Sequence, residues 1–283
     1  MNSASEAWHH AGGPVPHAPG RAGIMGIVNI TQDSFYAASR AGSTDDAVRR
    51  ALALLADGAD VIDLGAESSR PGSSPVSPED ELQRLLPVID ALKSLDNAPV
   101  LSVDTYHAAT AAAVLEHGAD IINDISACSF DPGLADVLAQ YRPGYVLMHC
   151  QGTPGTMQVS PHYDDVLSEV TAFFEEKMNM LVRAGLPEQR VILDPGIGFG
   201  KKMEHNLALM AHPEAWHRLG RPSLMALSMK SVFQDLLGLP VAERGQATQV
   251  ATALTCAKGY SWHRVHDALA TDRTLRLAAA LSR

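Results

Sequence analysis

Val191-Ile-Leu-Asp-Pro-Gly-Ile-Gly-Phe-Gly-Lys-Lys202 opens on a β-branched apolar run and continues through an acid and a glycine-rich turn to two lysines. A run such as Val191-Ile-Leu193 reads as a strand buried on both faces, and the Asp-Pro-Gly after it ends the strand. The same order recurs downstream. Pro222-Ser-Leu-Met-Ala-Leu227 leads into Ser228-Met-Lys-Ser231, and Trp262-His-Arg-Val265 carries Arg264 and runs into His266. An acid, lysines and an Arg/His pair are thereby delivered to strand ends, where α/β enzymes hold their chemistry.

Five further strand-like runs precede these three: Gly23–Asn29, Asp60–Leu64, Pro99–Val103, Asp120–Asp124 and Tyr145–Met148. Helical patterns separate them, over about 44–57, from Ser77 onward, 107–117 and 163–184, with later helices over about 241–258 and 272–281. Ser77-Pro-Glu-Asp80 suits an N-cap, a first helical position and a capping-box acid. Gly58, Gly118 and Gly185 suit helix C-caps before the next strand. Eight strand–helix pairs with no intervening linker favour a single (β/α)8 barrel over 22–283, its active site at the C-terminal ends of the strands; an open doubly wound sheet is the alternative, since periodicity does not show closure.

The chain has 283 residues, 46% of them hydrophobic and 19% charged, enough to bury one large core. A net charge of -10 argues against a general nucleic-acid binder, although a few cations in a cleft still suffice for a small anionic substrate. Cys128, Cys150 and Cys256 are far apart and form no CxxC, which fits a reducing compartment. Residues 1–21, rich in Gly, Pro, Ala and His, read as a loose tail without the apolar core of a signal peptide. The expectation is a cytoplasmic protein with no membrane or nucleic-acid partner.

Nearly every predicted strand ends in a polar group. Asp104, Asn123, Asp194 and Lys230 form a donor–acceptor set suited to a planar, amide- and amine-bearing heterocycle, with Met148 available to line it. Asn29, Arg264 and His266 suit an anion. Asn29 alone is too weak for a metal cage, so any Mg²⁺ there must draw on substrate oxygens. Arg70-Pro-Gly72 lies in a Gly/Ser/Pro-rich loop able to bring a guanidinium over the site. Gly196-Ile-Gly-Phe-Gly200 has neither GxxxxGK[ST] order nor GxGxxG spacing, which rejects both nucleotide motifs.

These residues resemble the dihydropteroate synthase family of pterin-binding barrels. The resemblance rests on Ile24–Phe35, Glu67–Gly72, Ser102–Thr105, Ile121–Asp124, Leu147–His149, Leu193–Lys201, Ser228–Ser231 and Arg264–Asp267, and spans about 23–281. It implies a homodimeric transferase that joins 6-hydroxymethyl-dihydropterin diphosphate to p-aminobenzoate and releases pyrophosphate. It further implies that Asp104, Asn123, Asp194 and Lys230 hold the pterin. Asn29, Arg264 and His266 would hold the diphosphate with Mg²⁺, and Ser69, Arg70, Pro71, Phe199 and Ser231 would lie near the aminobenzoate. In that pattern, Ala37 stands where the family has an acid, Met229 where it has Arg, Val232 where Phe is common and Ser69 where Thr is usual. The alternatives are a pterin-dependent methyltransferase on the same barrel and a pterin-binding paralogue without turnover.

Overall fold

The computed structural model describes residues 7–30, 40–67, 76–153 and 155–282, with side chains of 40–43 excepted. Eight parallel strands form the barrel: β3 (Gly23–Asn29), β4 (Val61–Gly65), β5 (Val100–Asp104), β6 (Ile121–Asp124), β7 (Gly144–Met148), β8 (Val191–Asp194), β9 (Leu224–Met225) and β10 (Trp262–Val265). Their order is β8-β7-β6-β5-β4-β3-β10-β9, and a single parallel bridge from Leu193 to Ser223 closes the ring. The helices between them are α1 (Arg40–Ala56), α2 (Pro78–Lys93), α3 (Ala108–Glu116), α4 (Leu134–Tyr141), α5 (Val166–Ala184), α6 (Met203–Ala211), α7 (Glu214–His217), α8 (Val232–Leu237), α9 (Arg244–Lys258) and α10 (Ala268–Leu281). No helix among the described residues is long and apolar enough to cross a membrane.

Alternation along the strands sorts the residues. Outward positions such as Ile62, Leu64, Leu101, Val103 and Leu193 join the core beneath the helices. Inward positions divide by height. Met25, Val61, Ile121, Val146, Ile192, Leu224 and Trp262 form an apolar floor, while one pleat higher stand Asp63, Asp104, Asn123, Asp194 and Arg264. The floor excludes water from below, and the polar layer opens at the C-terminal ends.

Local signals hold at several turns. Ser77 Oγ accepts the Asp80 N–H at 3.2 Å, and Gly58, Gly118 and Gly185 take φ of 100°, 97° and 121°. α10 begins at Ala268 rather than near 272, because Asp267 caps it by accepting the Ala270 N–H at 2.9 Å. The larger departure is at the N-terminus, where a loose tail is expected over 1–21. Residues 7–21 are instead ordered, with β1 (His9–His10) and β2 (Gly13–Pro14) forming a hairpin across the bottom of the barrel. Trp8 is 3% exposed, stands edge-on to Trp262 at 5.3 Å and donates from Nε1 to the Arg190 carbonyl at 2.7 Å. Arg21 ties the segment down by pairing with Asp60 and Asp272, both at 2.7 Å. A Gly/Pro-rich stretch carries no periodicity, so its plugging role depends on the gap left at the end of a closed barrel.

Candidate active site

The polar layer is organised by one guanidinium. Arg264, inward on β10, donates from Nε to Asp63 Oδ2 at 2.6 Å and from Nη2 to Asp104 Oδ2 at 2.8 Å. Asp63 Oδ2 also accepts Asn123 Nδ2 at 3.1 Å. A single buried carboxylate therefore links an expected diphosphate ligand to an expected pterin ligand. Asp63 itself is absent from the sequence-derived site. The available signal was an acid at an inward position of the apolar run Val61-Ile-Asp-Leu64, two residues below the strand end. Gly65, one inward position higher on the same strand, leaves open the space between Asn29 and Asp104, since a Cβ there would lie 3.7 Å from both side chains.

Burial pushes the Asp104 carboxyl up to about 7; Arg264 opposes this, and the carboxylates of Asp63 and Glu81 reinforce it. Arg264 is held above its ordinary value by Asp63 and Asp104 despite burial. Burial also raises Asp194, against the pull of Lys230. Lys230 is drawn down by burial to about 8, with Asp194 opposing. Such tuning of opposed carboxyl and ammonium groups in one cleft makes it a candidate chemical site.

The glycine-rich loop after β8 is not an anion cradle, as its motif order implied. Gly196 N–H is taken by Asp194 Oδ1 at 2.7 Å, Gly198 N–H by Asn206 Oδ1 at 2.8 Å and Phe199 N–H by the Gly196 carbonyl at 3.0 Å. Its carbonyls face side-chain donors: Ile197 accepts Lys230 at 2.5 Å, Gly198 accepts Gln158 at 2.6 Å and Gly200 accepts Tyr163 at 2.9 Å. Lys230 also lies 4.8 Å from the centre of the Phe199 ring. Two of the glycines are steric requirements. A Cβ at Gly196 would fall 2.0 Å from the His149 carbonyl, and one at Gly200 would fall 2.3 Å from that of Gln151, both at positive φ.

On the other rim, Asn29 and His266 line a cavity of about 230 Å³ together with Asp46 and Arg50. Arg50 donates to the His266 carbonyl at 2.7 Å, and His266 Nδ1 lies 3.0 Å from Ser228 Oγ. Met148 is buried beside Asp194 in the strand register. Ser231 is exposed just before α8, next to Lys230, and Met229 adopts φ of 62° with its carbonyl held by Arg244. Ser69, Arg70, Pro71 and Ala37 lie outside the described residues. The structure thus brings together Asn29, Asp104, Asn123, Asp194, Lys230, Arg264 and His266 from six strand ends.

The family model described as pterin binding enzyme matches residues 25–266. A dihydropteroate synthase from Neisseria meningitidis serogroup B is 41% identical over 268 residues, covering 91% of this chain and 92% of that protein. The structure of a Yersinia pestis dihydropteroate synthase with a sulfonamide drug complex superposes with a TM-score of 0.89 at 35% identity, covering 98% and 99% of the two chains. That of a Xanthomonas albilineans dihydropteroate synthase with 4-aminobenzoic acid gives 0.83 at 39%, covering 92% and 93%.

Proposed function

Because this chain belongs to the pterin binding enzyme family, we infer that it carries dihydropteroate synthase activity. It condenses 6-hydroxymethyl-7,8-dihydropterin diphosphate with p-aminobenzoate to give 7,8-dihydropteroate and pyrophosphate. The observation that carries this reading is the Arg264 guanidinium held between two carboxylates, with Asn123, Asp194 and Lys230 around it on the barrel rim. Asp194 and Asn123 match the edge of an aminopyrimidinone, and Lys230 can donate to its carbonyl. The bond between the pterin methylene carbon and the diphosphate oxygen breaks first, and its electron pair leaves with the diphosphate. Arg264 and His266 neutralise that charge, while ionised Asp104 stabilises the cationic methylene left behind. The aniline nitrogen then forms the C–N bond and loses its proton to solvent, with no covalent enzyme intermediate.

A Mg²⁺ ion belongs to this reading. Asn29 is exposed at the rim beside the bare edge of Gly65, and no cluster of three His, Cys, Asp or Glu capable of holding a metal occurs among the described residues. A single amide oxygen suits an ion whose other ligands are diphosphate oxygens and water. When bound, the ion would neutralise leaving-group charge. Incubating the full chain with both substrates and Mg²⁺ tests the reading. Pyrophosphate release that requires p-aminobenzoate is expected. Methyl transfer to an acceptor would favour the methyltransferase, and pterin binding without release would mark a paralogue that does not turn over.

A homodimer and a cytoplasmic location are part of the same proposal. The three cysteines are unpaired, which supports a reducing compartment. Leu236 and Leu237 on α8, Val250 and Leu254 on α9, and Leu277 and Leu281 on α10 are all more than half exposed. α9 packs against both α8 and α10, and the i, i+4 pairs each share a face. Apolar surface gathered on adjacent helices supports a protein interface. Light scattering should therefore give twice the 30.1 kDa chain mass. Leu254→Glu should shift the molecule to one chain mass; an unchanged mass for that variant would remove α9 from the interface.

A further inference from the structure

Lys201 closes the run that first indicated the fold, yet the reaction above makes no use of it. Its side chain is 3% exposed, and its four acceptors are all neutral. Nζ lies 2.9 Å from the Gly196 carbonyl, 3.0 Å from the Phe199 carbonyl, 2.9 Å from His149 Nδ1 and 3.2 Å from the His149 carbonyl. His149 is an acceptor here because burial, with the ammonium beside it, holds its imidazole far down, at about 2. Burial draws Lys201 down to about 7 against the pull of Cys150 and Asp194, so placing an amine here is costly and calls for a compensating geometric use. That use is visible in the backbone. Gly196 and Gly200 press directly on the His149 and Gln151 carbonyls, and Lys201 sits at this seam and reaches both sides of it. The stretch it gathers carries the Phe199 ring and the Ile197 carbonyl, the two groups that hold Lys230.

Resting on the synthase reading, we propose that Lys201 is a positioning residue. It knots the glycine-rich wall to the end of β7 and so fixes the Phe199 ring where the aromatic amine must dock. The opposite rim, with Arg264 and His266, shares none of these contacts. Loosening the knot therefore acts on the amine and leaves recognition of pyrophosphate alone.

Two variants of the full chain test this. Lys201→Met keeps the apolar stem and removes the donors, and Gln158→Ala removes an exposed hold on the Gly198 carbonyl. For Lys201→Met, the KM for p-aminobenzoate should rise about tenfold while product inhibition by pyrophosphate stays within about twofold. Amide exchange across 196–200 should accelerate in the absence of any substrate. Gln158→Ala should show the same split at about two- to threefold, and carries the test if Lys201→Met does not fold. Equal changes in both constants, or unchanged values for the variant that folds, overturn the proposal. Wild-type protein that releases no pyrophosphate would sink the functional reading instead. The exchange measurement would then still report whether Lys201 holds the wall.

Discussion

Arg264→Met is expected to lower kcat/KM for the pterin diphosphate by about a thousandfold, since in the proposed reaction Arg264 offsets the developing leaving-group charge. It should also destabilise the fold by about 3–5 kcal/mol, because one partner of a buried pair is left alone. The second effect has a specific origin. Asp63 is fully buried, its Oδ2 is bonded to Arg264 and Asn123, and its Oδ1 is buried without a partner among the described residues. With the guanidinium gone, only the neutral Asn123 amide among these partners still faces the charge. Asp63→Asn in the Arg264→Met background keeps an acceptor for Asn123 and removes that charge. The double variant should regain most of the lost Tm and none of the lost activity. If it melts with the single variant, the carboxylate of Asp63 is not the source of the instability.

Asp104→Asn should lower kcat by about a hundredfold or more and change the shape of the pH profile. Burial sets Asp104 near 7, so below that value the carboxyl is protonated and cannot stabilise a cationic methylene. Lys230, drawn down to about 8, loses its proton on the other side. For the wild type, kcat/KM should rise to about pH 7 and fall above about pH 8. The acid limb should vanish in Asp104→Asn, and the alkaline limb should remain. The sign for stability is opposite. A carboxyl raised on folding favours the folded state below its unfolded value of 3.8, and that contribution is lost as pH rises through about 7. Asp104→Asn should therefore raise Tm at pH 8 while it removes activity. A lower Tm there would show that Asp104 is held as an anion at no cost.

How much of the site is legible in sequence depends on where each residue stands in its strand. Asp104, Asp194 and His266 follow apolar runs, so the pattern places them at strand ends, and the parity of parallel strands turns them inward. Asp63 stands inside such a run, where nothing local separates an acid that faces Arg264 from one that faces a helix. Lys201 is similar. Its glycine-rich surroundings match neither nucleotide motif and assign it no partner, and only folding shows that the loop amides bond to Asp194 and Asn206 while the Lys201 amine turns back on His149. The ordering of residues 7–21 is also nonlocal, since Trp8 needs Trp262 and the Arg190 carbonyl to hold it.

Local sequence encodes the eight strand–helix units, the rim that carries the polar groups and most of the side chains gathered there. Those properties depend on period, parity and turn chemistry within a few residues. Tertiary structure decided the pairings: Asp63 with Arg264 and Asn123, Lys201 with the end of β7, and the hairpin with the barrel floor. Each joins groups that are remote in the chain, and each is fixed by the register of a closed sheet, which no local pattern encodes.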